Sequence, residues 1–188
     1  CQQSNIIISN NTKDKILETY NKLTENKLSK NLYGNNVTSL EIVHLVDYIP
    51  NNYAVTDKAD GERYQGIIYD SKLFLIDISL KVIETELTVP SSYNNTIIDG
   101  EYIYIPKFKK HLFTCWDILY HKNTDVRKEA NLKKRIEYLN DVISNCFDKI
   151  IDMNISEFEK KLLNNFFLKN MEDYYNREIT ENIEKLNK

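Results

Sequence analysis

The 188-residue sequence is poor in glycine, proline, cysteine and histidine, and these shortages exclude several kinds of protein. With four glycines and three prolines, it has no Gly/Ser/Pro-rich linker and no internal repeat. Its three cysteines (Cys1, Cys115, Cys146) lack metal-binding spacing and cannot all pair, which favours a reducing compartment. The three histidines show no ligand spacing either. No apolar run approaches the roughly 18 residues of a membrane-spanning helix.

The sequence also lacks a net positive charge. The formal net charge is −3, so no global basic field is available to hold nucleic acid. Any RNA contact must therefore be local or supplied by another domain. A hydrophobic content of 41% and a charged content of 28% are typical of a globular chain. The sequence begins at Cys1, with neither an initiator Met nor a signal peptide, and we expect it to be a segment of a longer chain.

The hydrophobic pattern changes twice, from a helical period to that of strands and back. Helices are predicted over 12–30, about 39–48, 126–151, 156–167 and 171–188. Strands are predicted over 53–57, 63–69, 72–78, 81–87, 96–105 and 112–119, with a hairpin turn at Asp70-Ser71. This pattern predicts an α+β fold, in which helices flank a largely antiparallel sheet. We divide the chain into an N-terminal helical segment (1–52), a sheet core (53–122) and a C-terminal helical segment of the same domain (123–188).

One of the few glycines lies in a stretch with chemical meaning, Lys58-Ala-Asp60-Gly61-Glu-Arg63. A lysine can attack the α-phosphate of a nucleotide only as the free amine. Because a lysine has a pKa of about 10.4, very little amine exists at neutral pH. Partial burial of Lys58 and the positive charge of Arg63 would lower that pKa. The alternative is an ordinary hairpin turn, for which Asp-Gly is a common sequence.

A second Asp-Gly-Glu sequence lies on the predicted strand 96–105. Side chains two residues apart share one face of a strand, so Asp99 and Glu101 are predicted to lie together, where they would bind a metal ion or a sugar. Gly100, inside an apolar strand, indicates the close approach of another backbone or of a ligand. The alternative is a bulge with two solvated acids. Two of the four glycines lie in Asp-Gly-Glu sequences, which counts against that alternative.

An aromatic platform for a nucleotide base is predicted on the strand 112–119. Phe113 and Trp116 would face opposite sides of a regular strand, so at most one of them can stack on a purine. Aromatic side chains in a central strand belong more often to the core than to a ligand site. Both interpretations stay open for these two residues.

In these motifs and their order, residues 38–120 resemble the nucleotidyltransferase domain of viral mRNA capping enzymes of the large DNA virus type. Their superfamily includes the ATP-dependent DNA and RNA ligases. The matching pieces are 39–46, 58–63, 75–77, 98–101 and 113–117. The resemblance implies that Lys58 becomes guanylylated and that Arg63 binds the ribose. It also implies nucleotide contacts for Asp60 and Gly61, sugar and metal contacts for Glu101, a metal contact for Asp99, and base stacking for Phe113.

The resemblance implies an mRNA guanylyltransferase that transfers GMP from GTP, through a lysyl-GMP intermediate, to the 5′-diphosphate end of RNA. It implies Mg²⁺ or Mn²⁺ with the GTP, and flanking triphosphatase and methyltransferase domains in the parent chain. The implied location is a cytoplasmic viral factory or the virion, with no membrane partner. An ATP-dependent ligase and a non-catalytic module with the same fold are the alternatives.

One departure from the family pattern limits what this chain is expected to do alone. The family continues with a Glu/Asp-Gly strand, a Lys-x-Lys strand and an OB-fold, but no glycine follows Gly100 here. We therefore expect an incomplete domain, the N-terminal part of a guanylyltransferase. By itself it is expected to be inactive or to bind GTP weakly.

Overall fold

A computed structural model describes residues 9–26, 31–34, 39, 41–44, 60–106 and 110–147. Only the backbone is described at Glu86, Ile105 and Lys110. The described residues fall into two compact units, one within Cys1–Tyr33 and Asp60–Leu168 and the other within Gly34–Ala59. Lys58 lies outside the described residues, as do the predicted strand 53–57 and the predicted helices 156–167 and 171–188. The predicted helix 39–48 is described only at its start, where residues 42–43 are helical.

The first unit is built on a six-stranded sheet with the order β3-β2-β1-β4-β5-β6. The strands are β1 (Glu62–Tyr69), β2 (Lys72–Asp77), β3 (Val82–Thr88), β4 (Thr96–Ile105), β5 (Lys110–His121) and β6 (Thr124–Asp125). Every neighbouring pair is antiparallel. The predicted α+β fold is therefore confirmed, and the predicted strands from 63 to 119 match β1 to β5 to within two residues at each end.

Each face of the sheet carries a helix, because successive side chains of a strand point to opposite faces. Helix α1 (Asn10–Thr24) packs on the face that includes Ile67 and Ile97, which we call the α1 face. Helix α2 (Leu132–Cys146) packs on the face that includes Ile68 and Ile98, which we call the α2 face. Odd-numbered residues of β1 and β4 therefore lie on the α1 face and even-numbered ones on the α2 face. Among the described residues, no helix is long and apolar enough to cross a membrane.

Helix α1 ends earlier than the predicted 12–30. At its start, the Ser9 hydroxyl accepts a hydrogen bond from the Thr12 N–H at 3.2 Å. At its end, Glu25 has a left-handed conformation with φ 59°. Arg127 donates from Nη1 to the carbonyl of Thr24 at 2.9 Å, from 103 positions further along the chain. A local hydrophobic pattern carries no information about such a distant contact, so the end of the helix was predicted wrongly.

Helix α2 begins later than the predicted 126. Its N-cap is Asn131, whose side chain accepts a hydrogen bond from the Lys133 N–H at 3.0 Å. Before it, a turn at Lys122-Asn123 with positive φ at both residues leads into the two-residue strand β6. A strand of two residues has no alternation for a sequence to display, so β6 was not predicted.

The hairpin turn predicted at Asp70-Ser71 is confirmed. Both residues have positive φ, 48° and 60°, as a two-residue type I′ turn requires. The side-chain oxygen of Asn94 accepts a hydrogen bond from the Ser71 N–H at 2.8 Å and stabilises the turn. This turn sets the register of β1 against β2.

Candidate active site

The turn that follows Lys58 lies directly against β4. Asp60 and Gly61 are exposed at the start of β1. A Cβ atom on Gly61 would lie 2.6 Å from the carbonyl oxygen of Tyr102 and 2.7 Å from Cγ1 of Ile103. A side chain at this position would therefore force the strands apart. The nucleotide contact that the resemblance implies for Gly61 stays a prediction, and the neighbour found in the structure is β4.

Arg63, the arginine of the lysine motif, forms a bidentate ion pair with Asp99. Its Nε lies 3.2 Å from Oδ1 and its Nη2 lies 2.7 Å from Oδ2. In the β1–β4 register Arg63 stands opposite Glu101, so the ion pair runs diagonally across the two strands. The side chains of Arg63 and Asp99 are 28% and 8% exposed. A fork-shaped, largely buried pair of this kind fixes the orientation of the guanidinium.

Burial and pairing act in opposite directions on Asp99. Burial raises the pKa of its carboxyl, and the hydrogen bonds and charge of Arg63 oppose that rise. The hydrogen bond to Asp99 in turn raises the pKa of Arg63. Since an arginine keeps its proton in proteins, the guanidinium is a permanent positive charge at the start of β1.

Tyr20 and Gln65, which the sequence did not single out, hold Asp99 from the α1 side. Gln65 is fully buried, and its Nε2 donates to Asp99 Oδ2 at 3.2 Å and to the carbonyl of Tyr33 at 2.7 Å. The Tyr20 hydroxyl donates to Gln65 Oε1 at 2.6 Å and accepts from the Tyr33 N–H at 2.8 Å. Burial raises the pKa of Tyr20 to about 12, so this hydroxyl keeps its proton. Gln65 could have been recognised from the sequence as a polar residue at a strand position that faces the core, two residues after Arg63, because a buried polar side chain requires hydrogen-bond partners.

The prediction that Asp99 and Glu101 share a face is confirmed, since both lie on the α1 face of β4. Asp99 is buried and Glu101 is half-buried. Both carboxylate oxygens of Asp99 accept hydrogen bonds, from Arg63 and Gln65, and the metal contact of Asp99 stays a prediction. In the described part of the chain, no cluster of three or more His, Cys, Asp or Glu could hold a metal ion.

Phe113 lies on the α2 face, away from Arg63 and Glu101. It packs against the hydrophobic cluster of α2. A Cβ atom on Gly100 would meet its ring carbons at 2.9 Å. The close approach predicted at Gly100 is therefore made by β5 and the ring of Phe113. The structure brings Arg63, Asp99 and Glu101 together, but not Phe113.

Strand β5 is irregular at Trp116, which has no partner in the β4–β5 register between Cys115 and Asp117. Such a bulge breaks the alternation of side chains along a strand. The prediction that Phe113 and Trp116 face opposite sides assumed a regular strand, and that assumption was wrong. Arg135 of α2 binds Asp117 next to the bulge, with Nε 2.9 Å from Oδ1. This ion pair holds α2 against β5.

The model of the mRNA capping enzyme catalytic domain family matches residues 3–187. The chain belongs to this family. It is 37% identical over 183 residues to the probable mRNA-capping enzyme of Acanthamoeba polyphaga mimivirus. That alignment covers 95% of this chain and 15% of the relative, so the chain spans a small part of the relative's length. The resemblance to viral capping enzymes is thereby confirmed.

In this capping enzyme domain, the α1 face carries Arg63 on β1 opposite Glu101 on β4. The guanidinium of Arg63 is a hydrogen-bond donor and the carboxylate of Glu101 is an acceptor. A donor and an acceptor on neighbouring strands suit the binding of a hydroxylated ligand such as a sugar. Lys58 lies five residues before Arg63 in the sequence.

Proposed function

We propose that this chain belongs to the guanylyltransferase part of an mRNA capping enzyme, which transfers GMP from GTP to the 5′-diphosphate end of RNA. The observation that carries the proposal is the family match over residues 3–187, which includes a lysine motif that leads directly into the fixed Arg63. The mimivirus relative is a probable mRNA-capping enzyme, and 15% of it aligns with this chain. The activity of the whole protein is therefore part of the proposal.

In the first step, Nζ of Lys58 attacks the α-phosphorus of GTP. A P–N bond forms, the bond from that phosphorus to the oxygen that bridges to the β-phosphate breaks, and pyrophosphate leaves. Lys58 must lose its proton to react, and the permanent charge of Arg63 favours the neutral amine. Asp60 is proposed to orient the lysine, and Arg63 and Glu101 to bind the ribose.

In the second step, a terminal oxygen of the 5′-diphosphate RNA attacks the same phosphorus. The P–N bond breaks, and GMP is joined to the RNA through a 5′–5′ triphosphate. Lys58 regains its amine and is ready for another GTP. Neither step changes an oxidation state, and the phosphoramidate divides one difficult transfer into two.

A divalent cation, Mg²⁺ or Mn²⁺, is proposed to enter with the triphosphate, where it would neutralise charge on the leaving pyrophosphate. Glu101 and Asp99 stay the two carboxylates predicted to hold it, and Asp99 also binds Arg63 and Gln65. Base stacking by Phe113 stays a prediction, and it requires the base to reach the α2 face. The flanking triphosphatase and methyltransferase domains and the viral location also stay predictions.

The lysine is tested by labelling with α-³²P-GTP in the full-length capping enzyme. Lys58→Ala should abolish the acid-labile, protein-bound label, because no other group forms the phosphoramidate. Lys72→Ala is the matched control, since Lys72 is an exposed lysine of β2 paired with Glu84, and it should label normally.

Parallel reactions with labelled GTP and labelled ATP separate the three functions considered. Labelling by GTP alone supports the capping enzyme. Labelling by ATP alone indicates a ligase, and no labelling by either indicates a non-catalytic module. Persistent labelling of Lys58→Ala would falsify the assignment of the nucleophile.

A further inference from the structure

A series of hydrogen bonds leads from helix α1 to the guanidinium of Arg63; we call Tyr20, Gln65, Asp99 and Arg63 together the relay. The Tyr20 hydroxyl donates to Oε1 of Gln65 at 2.6 Å. Nε2 of Gln65 donates to Oδ2 of Asp99 at 3.2 Å, and the same oxygen accepts from Nη2 of Arg63 at 2.7 Å. The relay therefore joins a residue of α1 to the arginine of the lysine motif.

The backbone of Tyr33 fixes the direction of the hydrogen bonds in the relay. Its N–H can only donate, and it donates to the Tyr20 hydroxyl at 2.8 Å, so the one proton of that hydroxyl goes to Gln65. Its carbonyl can only accept, and it accepts from Nε2 of Gln65 at 2.7 Å. If the Gln65 amide were turned over, its oxygen would face two acceptors, the Tyr33 carbonyl and Asp99. One arrangement satisfies all of these groups, and it holds Asp99 in one position.

The relay is buried except at Arg63. Tyr20 and Gln65 are both 0% exposed and Asp99 is 6% exposed, whereas the side chain of Arg63 is 28% exposed. Burial raises the pKa of Tyr20 to about 12, so its hydroxyl stays a donor. Burial also raises the pKa of the Asp99 carboxyl, and the hydrogen bonds from Arg63 and Gln65 oppose that rise. Tyr20 and Gln65 can therefore act on a bound nucleotide only through Asp99 and Arg63.

Stability does not explain polar side chains at these buried positions. Tyr20 belongs to the hydrophobic core of the α1 face. On β1, Ile67 stands two positions after Gln65, and on β4, Ile97 stands two positions before Asp99. Both isoleucines are fully buried in that core. Because apolar side chains of similar volume often replace buried polar groups without loss of stability, the relay is better explained by the orientation that it imposes on Arg63.

We propose that Tyr20 and Gln65 are positioning residues for the nucleotide site. Through Asp99 they hold the guanidinium of Arg63 in the orientation in which it binds the ribose of GTP. This role rests on the proposed function in one respect, the ribose contact of Arg63. Since Arg63 keeps its charge without the relay, loss of the relay should weaken GTP binding and leave the attack by Lys58 nearly unchanged.

The orientation of Arg63 is measured without GTP, by NMR of the ¹⁵N-labelled 188-residue chain. The Nε–H of Arg63 donates to Oδ1 of Asp99 at 3.2 Å, which protects its proton from exchange with water. The signal is assigned by its absence in Arg63→Lys. Tyr20→Phe deletes one oxygen of the relay, and Gln65→Leu deletes the amide. Each should speed the exchange by about two-fold to about ten-fold, the range of one hydrogen bond.

Tyr93→Phe is the matched control. It also deletes the hydroxyl of a buried tyrosine, 6% exposed, whose partner is the carboxylate of Asp141 at 3.1 Å. Tyr93 belongs to the hydrophobic core of the α2 face, on the opposite side of the sheet from Tyr20. The exchange of the Arg63 Nε–H in this variant should stay within about two-fold of the wild type, because one hydrogen bond elsewhere does not move Asp99.

In the full-length capping enzyme, the rate of adduct formation is measured against GTP concentration. In Tyr20→Phe and in Gln65→Leu, the half-saturating GTP concentration should rise by about two-fold to about ten-fold, with the maximal rate within about two-fold of the wild type. The double variant should raise it no further than Gln65→Leu alone, because Tyr20 acts through Gln65. A purely structural effect would lower the labelled fraction and leave the half-saturating concentration unchanged.

Three results would overturn the proposal. They are unchanged exchange of the Arg63 Nε–H in both variants, an unchanged half-saturating GTP concentration in both, and additive effects of the two substitutions. If the wild-type enzyme formed no adduct with GTP, the proposed function would fail. The NMR result would then decide by itself whether Tyr20 and Gln65 position Arg63. Failure of the relay and failure of the proposed function are therefore distinguishable.

Discussion

Single residues of the site are held by partners on other elements. Arg63 is fixed by Asp99, and Asp99 is fixed by Gln65, which Tyr20 and Tyr33 hold in turn. Every polar group of the Gln65 side chain is thereby hydrogen-bonded although the residue is fully buried. Such a satisfied network is rigid, because any movement leaves a buried group without a partner. The orientation of Arg63 is therefore set from α1 through three side chains.

Asp99→Asn tests whether Asp99 positions Arg63 or binds metal. The substitution removes the charge opposite a largely buried guanidinium, so it should destabilise the fold by about 3 kcal/mol. It should also raise the KM for GTP more than it lowers the rate of adduct formation, because Arg63 is proposed to bind the ribose. Chemical denaturation of this chain measures the stability, and label transfer in the full-length enzyme measures the kinetics.

The divalent-cation dependence separates the two roles of Asp99. If Asp99 only positions Arg63, the Mn²⁺ concentration for half-maximal labelling should be the same in Asp99→Asn and the wild type. A marked rise in that concentration would identify Asp99 as a metal ligand. Asp141→Asn, at a carboxylate bound to His121 on another part of the sheet, is the control for an unspecific effect of losing one acid.

At the scale of secondary-structure elements, the C-terminal end of α1 depends on Arg127. Its guanidinium donates to the Thr24 carbonyl at 2.9 Å and to Asp125 at 2.8 Å, and it lies 4.6 Å from the ring centroid of Tyr33. A cation at the C-terminus of a helix also interacts favourably with the helix dipole. Because α1 carries Tyr20, this contact supports the network behind Arg63.

Arg127→Lys keeps the charge but loses the fork of donors. We expect a loss of about 2 kcal/mol in stability, since hydrogen bonds to charged groups contribute in that range. Faster amide exchange should be confined to the last turn of α1, near Thr24, and hydrogen-exchange mass spectrometry measures it. Lys128→Ala changes an exposed neighbour and should stay within about 0.5 kcal/mol of the wild type. Unchanged exchange in α1 of Arg127→Lys would contradict this account.

For the whole first unit, stability depends on ion pairs that tie helices and strands together. Arg127 lowers the pKa of Asp125, mainly through its side-chain hydrogen bond. Burial raises the pKa of Asp141, but hydrogen bonds from His121, Lys122 and Tyr93 outweigh it, so the net shift is downward. A carboxyl whose pKa is lower in the folded state stabilises the fold above its unfolded pKa. That stabilisation is lost as the pH falls through the folded pKa.

Acid should therefore destabilise the fold in the range below about pH 4, where Asp125 and Asp141 take up protons. The double variant Asp125→Asn/Asp141→Asn should have a lower Tm than the wild type at neutral pH, and its Tm should fall less between about pH 4 and about pH 2. Circular dichroism melting curves across this range measure both effects. If the Tm of the wild type and that of the variant fell equally with pH, protonation of Asp125 and Asp141 would not be the cause of the acid destabilisation.

Much of the fold and part of the site could be predicted from the sequence. The alternation of apolar residues determined the positions of β1 to β5, and the turn residues at Asp70-Ser71 determined the first hairpin. Both signals are local, since they depend on residues next to each other in the chain. The motif from Lys58 to Arg63 and the pair of acids around Gly100 determined the family, because their order and residue types are visible without a fold.

Only the tertiary structure decided which groups meet. Arg63 and Asp99 are 36 positions apart, and their diagonal contact depends on the β1–β4 register. The face on which Phe113 lies follows from the β4–β5 register, and the bulge at Trp116 interrupts that register. The end of α1 depends on Arg127, far along the chain. A sequence specifies such contacts only through the folded chain as a whole, because they join residues that no local pattern connects.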